Sequence, residues 1–169
     1  LVLMVILVFV IMASQFESLT YPFVIMFSLP FALVGVIFGL LISDTAIGVM
    51  GLLGILMLVG IVVNNGIVLV DYTRLLVGRE MPILDATVAA GRSRMRPILM
   101  TTMTTVLGMV PMAIGQGVGS EMWNSLGMVV AWGLSFSTLV TLFLIPVLFS
   151  TFALNGEKRR AKKAAKLNA

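Results

Sequence analysis

Two adjacent amides, Asn64 and Asn65, stand inside an uncharged run, 45–70, of this 169-residue chain. A run of that length crosses a bilayer, and an amide without a partner in hydrocarbon costs several kcal/mol. Amides do not titrate, so what they offer is hydrogen bonding: they hold helices together, orient a charged group or line a water path. Neighbouring residues point about 100° apart around a helix, so one amide can face a partner helix while the other faces a cavity. A second polar group is Thr101, Thr102, Thr104 and Thr105, of which Thr101 and Thr105 share a face. Membrane threonines commonly bond to carbonyls of their own helix. Thr101 lies seven residues from Arg94, and Asn64 lies seven from Asp71. Each is then roughly 10 Å of helix from a charge, which lets the two meet at similar depth in antiparallel neighbours.

The elements that must carry these residues follow from composition. The chain is 60% hydrophobic and 11% charged, against about 25% charged in a soluble domain, and its mean hydropathy is +1.15. Uncharged runs cover 18–43, 45–70, 97–120 and 122–156, and the first residues read as a further apolar helix. The expectation is an all-α membrane protein with about five transmembrane helices, near 1–15, 22–43, 46–75, 97–115 and 122–153. A short cytoplasmic surface helix is expected over 82–95, with Met81, Leu84 and Val88 on one side. Pro22 and Pro97 suit first-turn positions, whereas Pro30, Pro111 and Pro146 fall inside spans and can kink them. The domain division is a membrane domain, 1–153, and a basic tail, 154–169, expected to fray or lie on anionic lipid. The chain opens inside a helix at Leu1 with no basic flank and no cleavage site, and so reads as the C-terminal piece of a longer protein.

All 11 basic residues occupy two places. Arg74, Arg79, Arg92, Arg94 and Arg96 lie between the third and fourth spans, and Lys158, Arg159, Arg160, Lys162, Lys163 and Lys166 lie in the tail. The positive-inside rule makes both segments cytoplasmic, with the C-terminus inside. The 15–21 turn is then cytoplasmic too, and the connections near Asp44 and Glu121 are external. This placement accounts for the net charge of +4 without nucleic-acid binding.

Glycines mark where helices can approach. Gly35 and Gly39 form GxxxG, Gly48, Gly51 and Gly54 recur every third residue, and Gly60 and Gly66 flank the amides. No cysteine or histidine is present, which excludes disulfides, thiolate sites and imidazole chemistry. The 13 methionines are scattered and suit gap-filling better than a soft-metal path. No catalytic constellation or metal-ligand set lies in the spans, so enzyme chemistry is not expected.

The strings Gln15-Phe16-Glu17-Ser18, Gly60-Ile61-Val62-Val63-Asn64-Asn65-Gly66 through Asp71-Tyr72, Arg94-Met95-Arg96-Pro97-Ile98-Leu99-Met100-Thr101-Thr102 and Pro146-Val147-Leu148 occur in one order. In them the chain resembles the C-terminal transmembrane half of a resistance–nodulation–division (RND) multidrug efflux pump, the inner-membrane permease subunit of acriflavine-resistance type. The resemblance covers nearly the whole chain. It implies part of a twelve-helix bundle and a trimeric, multi-pass permease of the bacterial inner membrane, built with an N-terminal half of the same transporter. It also implies export of amphiphilic or hydrophobic compounds by proton antiport, driven by the proton-motive force with no cofactor. Partners would be the lipid bilayer and, in a Gram-negative cell, a periplasmic adaptor and an outer-membrane channel. In such pumps a carboxylate pair on the fourth helix faces a lysine on the tenth and a threonine on the eleventh. Thr101 matches the threonine, Arg94 resembles the arginine near the cytoplasmic end of the water path, and Asn65 matches the asparagine after the lysine. Asn64 stands where the lysine is expected, so this chain would offer hydrogen bonds there in place of a charge. Alternatives are a related exporter of metal ions or lipids, and a structural membrane segment that tolerates apolar residues at Asn64, Asn65 and Thr101.

Overall fold

The computed structural model describes the backbone of residues 2–115, 117 and 119–167, and the side chains of these except 121 and 155–167. The described residues form helices α1 (Val2–Phe16), α2 (Thr20–Met26), α3 (Leu29–Ser43), α4 (Val49–Val77), α5 (Ile83–Ala113) and α6 (Ser120–Leu167). The fold is all-α, and α6 is its mast, packing on α3, α4 and α5. Leu58, Val62, Leu69 and Val70 of α4 face that core with Val129, Leu134 and Ile145 of α6. Lipid tails are as apolar as these side chains, so close packing rather than water exclusion holds such helices together.

Thr20–Ser43, Val49–Val77 and Met122–Leu154 are long and apolar enough to cross a membrane. Helix α1, Val2–Phe16, is a shorter apolar helix. The apolar part of α5, 97–113, lies at the lower end of the length range of a spanning helix, roughly 20 residues, because Arg92, Arg94 and Arg96 precede it.

Three boundaries depart from the sequence expectation. The second span is broken at Phe27 and Ser28, because Pro30 at the start of α3 has no N–H for the preceding turn. Ser28 fills the gap: its hydroxyl donates to the Ile25 carbonyl at 2.6 Å, and its backbone N–H to the same oxygen at 3.0 Å. The expected surface helix is helical but not separate, for α5 runs unbroken through Pro97. Ile83, Ala86, Thr87 and Ala90 are buried before the proline, and Ile98 and Thr102 after it. That continuous packing outweighs the roughly 3 kcal/mol that an interior proline costs. Leu84 and Val88 face outward, so the apolar stripe read from sequence is the exposed one. Finally, the backbone of the expected frayed tail continues α6 to Leu167, while its basic side chains lie outside the described residues. The external connection expected near Glu121 lies partly outside them too, at 116 and 118.

One end of the bundle gathers the C-terminus of α1, the start of α2, the end of α4 and the later part of α6. Tyr21 stacks on Phe149 with centroids 5.5 Å apart and rings 19° from parallel, and Phe16 lies 6.1 Å from Tyr21. The Arg74 guanidinium sits 4.9 Å from the Tyr21 centroid and 5.6 Å from that of Phe16, and its Nη1 donates to the Phe16 carbonyl at 3.4 Å. The 15–21 turn and the arginine-bearing end of α4 thus share one face of the bundle, as the charge pattern predicts.

Candidate functional site

Helix α4 packs on α6, α5, α3 and α2 and leaves one stripe open. Along the open side run Met57, Gly60, Asn64, Asp71 and Leu75, spaced three, four or seven residues apart and all exposed. Asn64 therefore points away from the packed core, while Asn65, a hundred degrees around the helix, is half-buried. The four threonines of α5 divide in two. Thr101, Thr104 and Thr105 turn their hydroxyls onto their own helix: Thr101 donates to Ile98 O at 2.9 Å and Pro97 O at 3.1 Å, Thr104 to Met100 O at 2.8 Å and Thr105 to Thr101 O at 2.9 Å. Thr102 alone reaches across, its hydroxyl 3.1 Å from that of Thr138 on α6.

The register of α4 against α5 is pinned near the arginines. Arg94 lays its guanidinium over Tyr72, 4.5 Å from the ring centroid. Asn64 lies eight residues along α4 from Tyr72, and Thr101 seven along α5 from Arg94. At 1.5 Å per residue these are about 12 and 10 Å, so the two polar groups sit at nearly one depth. Both are exposed, and among the described residues no hydrogen bond joins them. Arg94 is half-buried, and its Nε has no hydrogen-bond partner among the described residues. The structure thus brings Asn64, Thr101 and Arg94 onto neighbouring helices but covers neither Asn64 nor Thr101.

The glycines separate by environment. A Cβ on Gly35 or Gly39 would run into Phe136 or Trp132 of α6, and one on Gly51 into Ser125. Gly54 lies against Val129, where a Cβ would be 3.1 Å from Cγ1. Gly66 faces Ile25 and Ile145, with contacts of 2.7 and 3.2 Å for an added Cβ. Gly60 has nothing within 4 Å and lies on the open stripe beside Asn64.

Sequence reasoning passed over several residues of equal weight. Gly127 accepts the α5 backbone at Ala113, and Gly133 accepts Leu58 and Val36; both interrupt apolar stretches of α6 much as the chosen glycines interrupt α3 and α4. In the sequence Arg74 stands only as a topological charge, and nothing local tells that it meets Phe16 and Tyr21. Among the described residues no group of three or more His, Cys, Asp or Glu could hold a metal ion.

Comparison with known proteins bears on the family and the fold. Residues 1–153 match the model of the AcrB/AcrD/AcrF family. The swarming motility protein SwrC of Bacillus subtilis (strain 168) is 38% identical over 158 residues, covering 93% of this chain and 15% of that protein. The multidrug resistance protein MdtC of Erwinia amylovora is 36% identical over 143 residues, covering 84% of this chain and 14% of that protein. A crystal structure of a heavy metal efflux pump superposes with a TM-score of 0.77 at 30% identity, over 89% of this chain and 14% of the pump. The chain spans about one seventh of the length of these relatives. It belongs to the AcrB/AcrD/AcrF family of RND permeases and is a multi-pass membrane protein.

Proposed function

We propose that this chain forms the last helices of a proton-driven RND exporter that moves amphiphilic or hydrophobic compounds out of the cell. The observation that carries the reading is the pairing of Asn64 and Thr101 at one depth, each on a side of its helix that this chain leaves open. Polar groups facing outward at that depth need a partner. In this reading the partner is the N-terminal half of the same transporter, which brings the titrating carboxylates. Asn64 and Asn65 orient them by hydrogen bonds, and Thr101 exchanges its self-bond for one to a carboxylate as protonation changes. Arg94 closes the path at the arginine-rich end. None of these groups is an enzyme nucleophile or metal ligand, and the energy comes from the proton-motive force without a cofactor.

The arginine-rich end is cytoplasmic in this proposal, by the positive-inside rule, and the C-terminus lies inside a bacterial inner or cytoplasmic membrane. The transporter works as a homotrimer. It joins a periplasmic adaptor and an outer-membrane channel where the envelope has a second membrane. The named relatives include a multidrug resistance protein and a heavy metal efflux pump, and export of metal ions is therefore the second reading. The scatter of the 13 methionines, which suits gap-filling better than a thioether path, favours the first reading.

The test is Asn64→Leu in the full-length transporter. Dye export should fall to background while membrane levels of the protein stay normal. Unchanged export would remove Asn64 from the coupling machinery and favour a structural segment. Export of a soft metal ion, with no export of dyes, would favour the second reading.

A further inference from the structure

Beyond transport, and independent of it, a cleft runs along the outer side of α5 and α6. It has a volume of about 240 Å³ and is walled by Leu99, Met103 and Leu107 of α5 and Leu139 of α6. Its floor is the Thr102–Thr138 pair, whose hydroxyls lie 3.1 Å apart, and its lining is mostly carbon. Arg92, Arg96, Leu99, Met103 and Leu107 follow one another at intervals of four, three, four and four residues, which places them on one face of α5. That face is cationic at one end and an apolar trough at the other. Both arginines are exposed, whereas Arg94 between them is turned away onto Tyr72.

We propose that this cleft binds an anionic phospholipid, with the headgroup phosphate on Arg92 and Arg96 and an acyl chain along Leu99, Met103 and Leu107. Guanidinium groups bind phosphate oxygens through paired N–H donors, and basic positions at the membrane edge between helices favour anionic headgroups. The length fits as well as the charge. Arg96 to Leu107 is about 16 Å of helix, close to half of the roughly 30 Å hydrocarbon thickness. A phosphate at Arg96 therefore brings its chain to the bilayer midplane at Leu107. Asp85 lies on the same face about 10 Å of helix from Arg92 and lines a pocket with it, but among the described residues no ion pair joins the two. A second apolar groove of about 450 Å³, lined by Leu139, Phe143 and Val147, shares Leu139 with the first and takes the second chain.

The experiment uses the full-length transporter, reconstituted in phosphatidylcholine vesicles, with Leu107→Trp as a reporter. Phosphatidylglycerol brominated at mid-chain should quench the added fluorescence at about tenfold lower mole fraction than brominated phosphatidylcholine. Adding R92Q and R96Q together should abolish this preference, and R92K with R96K should restore part of it. Equal quenching by both lipids before the arginines are changed would overturn the headgroup site. Absence of quenching by either lipid would mean that another helix or a second copy covers the cleft, and would overturn the proposal outright. A second measurement needs no reporter. Native mass spectrometry of the delipidated transporter with added phosphatidylglycerol should show at least one bound lipid more than the R92Q/R96Q variant retains. Equal retention would overturn the site.

Discussion

Gly54 and Gly60 stand six residues apart on α4 and have opposite surroundings. At Gly54 the helix presses on Val129 and the Leu126 carbonyl of α6, while at Gly60 no atom approaches within 4 Å of where a Cβ would be. The contrast extends to whole faces. The seam of α3 and α4 with α6 is finished within this chain: glycines meet aromatic and branched side chains, and Leu58, Val129 and Leu134 are fully buried. The open side of α4, with Asn64 and Asp71 among apolar neighbours, is left exposed by the described residues, and so is Thr101 on α5. A small residue in a membrane helix marks a contact only where a neighbour stands opposite. A polar residue on an open face at membrane depth marks a contact still to be made.

The sharpest break in this comparison comes from filling the finished seam. Gly39→Leu forces a side chain into Trp132 and should cost about 3 kcal/mol or more, read as a large fall in the melting temperature of the full-length transporter in detergent. If melting is unchanged, the seam is not close-packed. Next, Arg74→Ala removes the contact with Phe16 and Tyr21 and the bond to the Phe16 carbonyl, and should cost about 1–2 kcal/mol. Faster proteolysis at the 15–21 turn would report it. Thr102→Val breaks the Thr102–Thr138 bond across α5 and α6 and should cost about 0.6–1.7 kcal/mol. Thr104→Val loses only a bond within its own helix and should cost less when the two variants are compared by denaturant unfolding. The smallest effect sharpens the contrast most. Gly60→Ala should leave the stability of the isolated chain within about 0.5 kcal/mol but reduce folding or export once the rest of the transporter is present. Equal behaviour in both settings would mean that the open face stays open.

Most of the helical architecture was legible because hydropathy and charge are summed along the chain. The uncharged run around Asn64 yields α4, and the grouping of arginines anticipates the end of the bundle where Arg74 meets Phe16 and Tyr21. Proline defeated local reading in both directions. Pro30 breaks its span, and Pro97 does not, since Ala86, Ala90 and Ile98 bury one continuous stripe across it. For the site, polarity found Asn64 and Thr101, but whether an amide faces a core or an open side depends on helices distant in sequence. The same holds for Arg74, whose partners lie on α1 and α2, and for Gly127 and Gly133, which only the neighbouring helices distinguish from ordinary spacers.

The interruption at Phe27 and Ser28 has a mechanical consequence. Above it, α3 is bolted to α6 through Gly35 and Gly39; below it, α2 is tethered to α4 and α6 through Tyr21, Arg74 and Phe149. A continuous helix would transmit any tilt along its length. Here Pro30 supplies no N–H and the Ser28 hydroxyl takes up the Ile25 carbonyl instead, so each arm takes its orientation from its own neighbours.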